Sequence, residues 1–373
     1  MNMDARIAVI GCGLGGAATA ALLQRAGFNV SVFEQAAAFQ RIGAGIHLTP
    51  NLVNILRHLG ADSGLIDAGF KPSCFVSREA SGRLLGNLDL SETQAKYGAP
   101  YLTVHRGDFH RALVNAVSAD KINFNKQLQE IEYAPSGTVL SFADGTRETF
   151  DLVIGADGLS SKVRSLVCGP EKPVFAGQVA YRGIINTSDL ASAPREDLTK
   201  LWSDDKFIIS YYLDDGRSEY YFVAGLPAQS WPEGVQAMDA SIDEMVDAFG
   251  EFEPWAQEML SRSSVARKWP LFERKPEAVW YRGNVVILGD ACHPMRPHMA
   301  QGAAMAIEDG MILTRCLVEA PDMEIALRRY QLTREARVAE VQKISNENTW
   351  LKSETNPDWL FAYDAAHAPL AVV

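Results

Sequence analysis

Among the seven histidines of this chain, His47 and His298 are the two best placed to move a proton at a ligand. Imidazole exchanges protons near neutral pH, as a general base must. His47 lies in Gly43-Ala44-Gly45-Ile46-His47-Leu48-Thr49-Pro50-Asn51, a glycine-rich loop leading to a helix with Asn51 near its start. A histidine there reaches a ligand, the plainer alternative being a structural loop histidine. His298 precedes a helix of small residues and also faces a pocket. His293 and His298 lack HExxH spacing and make no zinc pair, and His58, His105, His110 and His367 read as structural or exposed. A flat ligand would be held by an aromatic run. Alternation over Lys206 to Leu213 puts Phe207, Ile209, Tyr211 and Leu213 on one face and Ile208, Ser210 and Tyr212 on the other. Either tyrosine can reach a pocket, or both can pack a sheet edge. The apolar set around Tyr211 suits an aromatic ligand better, with Tyr212 in reserve.

Three glycine turns at strand ends must position these groups. Ile7 to Ile10 reads as a strand, Gly11-Cys12-Gly13-Leu14-Gly15-Gly16 as a turn, Ala17 to Ala26 as a helix and Val30 to Phe33 as a second strand. In such a βαβ unit Gly11 permits the tight turn, Gly13 lets a diphosphate approach the backbone, and Gly16 lets helix and strand pack. Glu34 follows Gly16 by 18 positions, close to the roughly 20 expected of an acid on a ribose hydroxyl. The unit predicts a dinucleotide without separating NAD from FAD. The second turn, in Asn284 to Gly310, joins the apolar run Val285 to Leu288 to Gly289-Asp290, so that Asp290 faces whatever sits at the strand end. After Pro294 and Pro297, Gln301-Gly302 opens a helix whose first turn, with Ala303, Ala304 and Ala306, is nearly bare. Backbone N–H groups there favour negative charge. The third, Gly155-Ala156-Asp157-Gly158, ends another apolar strand from Asp151 and precedes a helix start rich in Ser and basic residues. It follows a hairpin of Val139 to Phe142 and Thr146 to Phe150 around Asp144-Gly145. One NAD does not need three such turns.

The remaining composition sets bounds. The chain has 373 residues, 47% hydrophobic and 22% charged, and no apolar run nears the ~18 residues that span a bilayer. The start enters a strand at once without a cleavable signal pattern. A net charge of −11 argues against a nucleic-acid surface. The five cysteines show no CxxC spacing, so neither a disulfide framework nor a metal site is expected. These bounds fit a cytoplasmic enzyme with no membrane or nucleic-acid partner. From about Val179 to Trp269 the chain turns to short β-like runs, Lys206 to Leu213 and Glu219 to Gly225, joined by Asp214-Asp215-Gly216-Arg217. Helices are expected at Ser241 to Gly250, Glu253 to Leu260 and, as one long element, Met323 to Asn348.

With its three ordered fingerprints, GxGxxG, Asp-Gly and Gly-Asp, the chain resembles the flavin-dependent aromatic hydroxylases of the para-hydroxybenzoate and salicylate hydroxylase type. The resemblance spans nearly the whole chain. It implies an α/β fold: a Rossmann-like FAD-binding domain (1–75, 100–178 and 270–345), an inserted antiparallel-sheet substrate domain (76–99 and 179–269), and a C-terminal segment (346–373). It puts the FAD diphosphate over Gly11, Gly13, Gly15 and Gly16, and the adenosine ribose on Glu34 beside Gln35. Arg106 would sit near the diphosphate, the alternative being a surface arginine at a helix start. The Leu128 backbone would meet the adenine, Asp157 both dinucleotides or merely the surrounding loops, and Asp290 the ribityl chain. The helix opening at Gly302 and Ala303 would face the flavin pyrimidine edge, with Ala304 in place of a larger residue there.

A narrower resemblance, to the hydroxypyridine-acting branch of that family, rests on RIGAGIHLTPN, the pairs Tyr211-Tyr212 and Tyr220-Tyr221, GDACHPMRPHMAQGA and SNENTWL. It implies His47 as base and Tyr211, His298, Phe207, Ile209 and Val223 around the substrate. Phe207 and Ile209 depart from a more polar or thioether lining. The implied reaction uses non-covalent FAD, NADH and O2, through a C4a-hydroperoxyflavin, to hydroxylate a small phenol or N-heteroaromatic ring. The expected case is decarboxylative 3-hydroxylation of 6-hydroxynicotinate, by a monomer or homodimer. Alternatives are a salicylate-type hydroxylase, a flavin reductase or oxidase, a NAD-dependent dehydrogenase and a flavin-binding interaction module.

Overall fold

The structure, a computed structural model, describes residues 3–41, 44–276 and 278–373. Its first layer is a six-stranded sheet in the order Tyr281–Arg282, Val285–Ile287, Leu152–Gly155, Arg6–Ile10, Asn29–Phe33, Ile122–Asn123. All neighbours are parallel except the first pair. Ile7, Val9, Leu152, Ile154, Val285 and Ile287 are fully buried. That explains why these strands read as unbroken apolar runs and not as alternating ones. The glycine turns at 11–16, 155–158 and 289 therefore emerge side by side at one edge of the sheet. Parallel strands need crossovers, and the first is the helix Leu14–Arg25, whose Ala17, Ala18, Ala20 and Ala21 are buried. Their small size lets it lie against the helix Gly302–Glu319.

A three-stranded meander, Leu128–Ala134, Gly137–Phe142 and Arg147–Phe150, flanks this layer. The second large sheet has eight strands: Met238–Ala240, Ala266–Glu273, Val174–Asn186, Glu219–Pro227, Phe207–Tyr212, Leu198–Trp202, Cys74–Glu79, Leu84–Asp89. Among the described residues of this sheet only Leu198–Trp202 and Cys74–Glu79 pair in parallel. The alternation predicted for Phe207 to Leu213 holds. Phe207, Ile209, Tyr211 and Leu213 join the core shared with the parallel sheet, while Ile208 and Tyr212 join a second core closed by the helices Ile242–Ala248 and Pro254–Ser261. Three strands of this sheet, Cys74–Glu79, Val174–Asn186 and Ala266–Glu273, run across the expected boundaries at 75, 178 and 269.

Between the sheets lies a short antiparallel pair, Gly45–Leu48 with Leu102–His105. His47 is therefore on a strand and not in the loop expected from the glycines around it; its partner strand is remote in sequence, so local composition did not reveal it. A Cβ on Gly45 would stand 2.6–2.8 Å from Tyr221, Tyr211 and Leu213. Only glycine lets this strand approach the eight-stranded sheet so closely. Residues 42 and 43, including the Gly43 named above, lie outside the described residues.

Behind Gly302–Glu319, the long helix Met323–Glu347 buries Arg334, which donates to Glu308 at 2.7 Å and Asp309 at 2.8 Å. Arg337 also donates to Glu308, at 2.8 and 2.9 Å. His293 meets Asp309 at 2.6 Å. Burial alone would raise Asp309, but His293 and Arg334 hold it down at about 2. The helix facing the site is thereby fixed by a buried, fully paired ion network.

Candidate active site

A cavity of about 430 Å³ opens where the glycine turns of the parallel sheet meet the eight-stranded sheet. Its lining includes Gly13, Gly15, His47, Arg106, Phe207, Ile209, Tyr211, Val223, Asp290, His298, Gly302 and Ala303, all of them picked out from the sequence. Tyr211 and not Tyr212 faces it; Tyr212 packs on Phe70 and Tyr220 across the sheet. The bare helix start is also there. Gly302 and Ala303 line the cavity, and the first intrahelical bond, Met305 N–H to Gln301 C=O at 2.9 Å, leaves the preceding N–H groups for a ligand. Ala304, however, is turned inward and fully buried. It is not among the residues that line the cavity.

His47 is buried, with Nδ1 2.6 Å from the Tyr101 hydroxyl and its ring edge-on to Tyr211 at 4.3 Å between centroids. Burial and the charge of Lys200 lower its pKa to about 3, so the ring is neutral. The Tyr101 contact holds one nitrogen of a ring that lines the cavity. His298 is equally buried, edge-on to Phe207 at 4.8 Å, and neither ring nitrogen has a partner among the described residues. Its pKa is also lowered to about 3, by burial first and then Lys200, Arg296 and Lys352. Two unfilled hydrogen-bonding positions on a buried ring that lines a cavity are a site for a polar ligand atom.

Asp290 is accessible through the cavity and enclosed on its other sides; that enclosure raises its pKa, opposed by His293 and Arg106. Arg106 opens the helix Arg106–Asn115 and lines the cavity instead of the surface. Burial and the nearby Arg182 lower its pKa.

The other expected cofactor residues lie away from this cavity, along the ends of the first strands. Gly11 has φ +94°, and a Cβ there would stand 2.5 Å from the Ala156 carbonyl. Gly16 would bring one to 2.0 Å from the Gly11 carbonyl. Gly13, by contrast, has nothing within 4 Å of that position, an open face for a large ligand. The Glu34 carboxylate accepts from Cys12 N–H at 2.9 Å and Ala36 N–H at 2.8 Å. Lys126 N–H donates to the Glu34 carbonyl at 2.8 Å, which brings the strand of Leu128 alongside the exposed Gln35. Asp157 accepts from the Ser161 hydroxyl and from Lys162 and Val163 N–H, at 2.5, 2.7 and 3.2 Å. It ties its turn to the next helix start.

Residues 4–345 match the family model described as FAD binding domain. The 6-hydroxynicotinate 3-monooxygenase of Pseudomonas fluorescens is 44% identical over 99% of this chain and 98% of its own length. That of Bordetella bronchiseptica strain RB50 is 46% identical at the same coverage. The chain belongs to the FAD-dependent aromatic monooxygenases. The monooxygenase fold is matched at a TM-score of 0.83 by a salicylate hydroxylase substrate complex, 26% identical, over 97% of this chain and 96% of that one. The residues present fit FAD. The open face at Gly13, the cavity-facing Asp290 and Arg106 and the bare start of Gly302–Glu319 share one cavity, and the acid Glu34 lies outside it, past the end of the strand Asn29–Phe33, an arrangement of the kind a flavin dinucleotide requires.

Four residues of this monooxygenase site escaped the sequence reading: Tyr101, Phe75, Arg182 and Lys200. Phe75 and Arg182 line the cavity, Tyr101 holds His47, and Lys200 sits behind the wall. None carries a local motif. Arg182 lies in Tyr181-Arg182-Gly183, next to a glycine, and that adjacency is the one signal available.

Proposed function

We propose that this monooxygenase hydroxylates 6-hydroxynicotinate at the carboxyl-bearing carbon, releasing CO2 and 2,5-dihydroxypyridine. The observation that carries the reading is the pairing of a neutral His47, held by Tyr101, with a second neutral histidine, His298, in one aromatic-walled cavity. The 44–46% identity to 6-hydroxynicotinate 3-monooxygenases over almost the full chain supports it. FAD, reduced by NADH, supplies the electrophilic oxygen from O2 when bound. The side chains do the rest. With Nδ1–H donating to Tyr101, His47 Nε2 takes the proton of the ring hydroxyl and makes the ring more nucleophilic. Tyr211, Phe207, Ile209 and Val223 hold the ring flat, and His298 meets a polar substituent. Gly11, Gly13, Gly15, Gly16, Glu34, Gln35, Leu128 and Asp157 hold the adenosine diphosphate end of FAD, Arg106 and Asp290 its middle, and Gly302 and Ala303 the flavin edge.

The balance is one aromatic carboxylate, one NADH, one O2 and two protons giving one hydroxylated ring, CO2, NAD+ and water. The apolar wall of Phe207, Ile209 and Val223 favours, as a second reading, a less polar phenol acid such as salicylate. The test is a substrate panel: 6-hydroxynicotinate should stimulate NADH oxidation above salicylate and para-hydroxybenzoate. Stimulation by salicylate alone moves the substrate to the second reading, and H2O2 without any ring product makes the protein an oxidase.

A further inference from the structure

A lysine occupies the cavity face of the substrate sheet, where burial alone would call for an aliphatic residue. Lys200 has no exposed surface and stands opposite Ile209 in the ladder between Leu198–Trp202 and Phe207–Tyr212. Directly opposed residues point the same way, so it shares the face of Ile209, which lines the cavity. Its nitrogen is 2.9 Å from Asn348 Oδ1, 3.4 Å from the His298 carbonyl and 3.8 Å from the centre of the Trp202 ring. These partners are two neutral oxygens and a π face; none is a carboxylate. An ammonium has three donors and no acceptor. Burial first, and then the nearby Lys352, lower its pKa well below the ordinary lysine value, and the acceptors around it oppose this by favouring the ammonium over the amine. The charge lies 6.0 Å from the Phe207 ring centre and acts on both His47 and His298.

A buried cation without a counter-ion among the described residues, set behind the wall of a ligand cavity, is accounted for if the ligand brings the anion. We propose that Lys200 is a positioning residue whose uncompensated charge makes the cavity select anionic rings, the substrate carboxylate serving as its counter-ion across the wall of Phe207 and His298. This rests on the reading that the substrate is an aromatic acid, and it adds the residue that enforces it.

The test compares ligands of equal shape and unequal charge, 6-hydroxynicotinate and 6-hydroxynicotinamide. Binding is followed by the perturbation of the flavin spectrum in the FAD-loaded wild type and in Lys200→Met and Asn348→Asp. The second variant keeps the lysine but gives it a carboxylate partner, and an aspartate tolerates the left-handed backbone of Asn348, so it decides the matter if Lys200→Met does not fold. The wild type should bind the acid more tightly than the amide. Each variant should lose about tenfold of that preference, a factor one unit charge gives at an effective dielectric of about 20. Arg106 and Arg182 also line the cavity, so some preference remains. An unchanged ratio in the variants, including equal weakening of both ligands, assigns Lys200 a structural role and overturns the proposal, as does a wild type without preference for the acid. If 6-hydroxynicotinate does not bind but salicylate is preferred over salicylamide in a Lys200-dependent way, the substrate reading fails and this proposal stands.

Discussion

At the scale of residues, the two cavity histidines do opposite things to stability and to chemistry. Both have folded-state pKa values lowered to about 3, against an unfolded value of ~6.5. Above that value neither state takes the proton and the full stability is present. As pH falls below it, the unfolded chain binds protons that the folded one refuses, so stability falls toward pH 3. Each histidine costs roughly 1.4 kcal/mol per pH unit, or ~2 kcal/mol between pH 6.5 and 5. Denaturant melts should show this decline, and His298→Gln should flatten about half of it; a melt unchanged from pH 7 to 5 contradicts the burial argument. The same low pKa leaves His47 unprotonated through the physiological range but makes it a weak base, so its work as a base calls for the negative charge of a bound ring to raise its proton affinity. His47→Gln should retain FAD, seen in its absorbance, while hydroxylation slows at least ~10²-fold, the lower bound of general-base catalysis. Turnover equal to wild type would remove His47 from the reaction.

At the scale of elements, the strand Gly45–Leu48 and the helix Gly302–Glu319 carry the site. Gly45→Ala places a methyl within 2.6–2.8 Å of Tyr221, Tyr211 and Leu213. It should cost about 1–3 kcal/mol in thermal melts and lower kcat/KM, because Tyr211 and His47 move apart; wild-type kinetics would show that the approach does not matter. Arg334→Met leaves Glu308 and Asp309 buried without their shared cation. A loss of roughly 3–5 kcal/mol is expected on unfolding by urea, and a loss under 1 kcal/mol would mean that Arg337 and His293 suffice. These elements were unequally legible. Gly11 to Glu34 announced itself because every part of a βαβ fingerprint is local. The strand of His47 did not, because Leu102–His105 and Tyr101 meet it from more than 50 residues away. Alternation alone left Tyr211 and Tyr212 open; only the position of the second core, which takes Tyr212, separates them.

At the scale of the whole molecule, two sheets of different kinds meet at one cavity. The parallel sheet brings its glycine turns to one edge, the eight-stranded sheet brings an aromatic face, and the His47 strand lies between them. The three ordered fingerprints made this architecture readable in advance. The cations behind and beside the cavity, Lys200 and Arg182, were not readable, since a basic residue inside a β-rich stretch looks like a solvated one until its burial is known. No helix among the described residues is long and apolar enough to cross a membrane. The central claim, a decarboxylating hydroxylation of 6-hydroxynicotinate, is tested most directly by incubating the FAD-loaded protein with NADH, O2 and this acid and measuring product and gas together. One 2,5-dihydroxypyridine and one CO2 for each NADH consumed is the expected result, and NADH consumption with neither would contradict it.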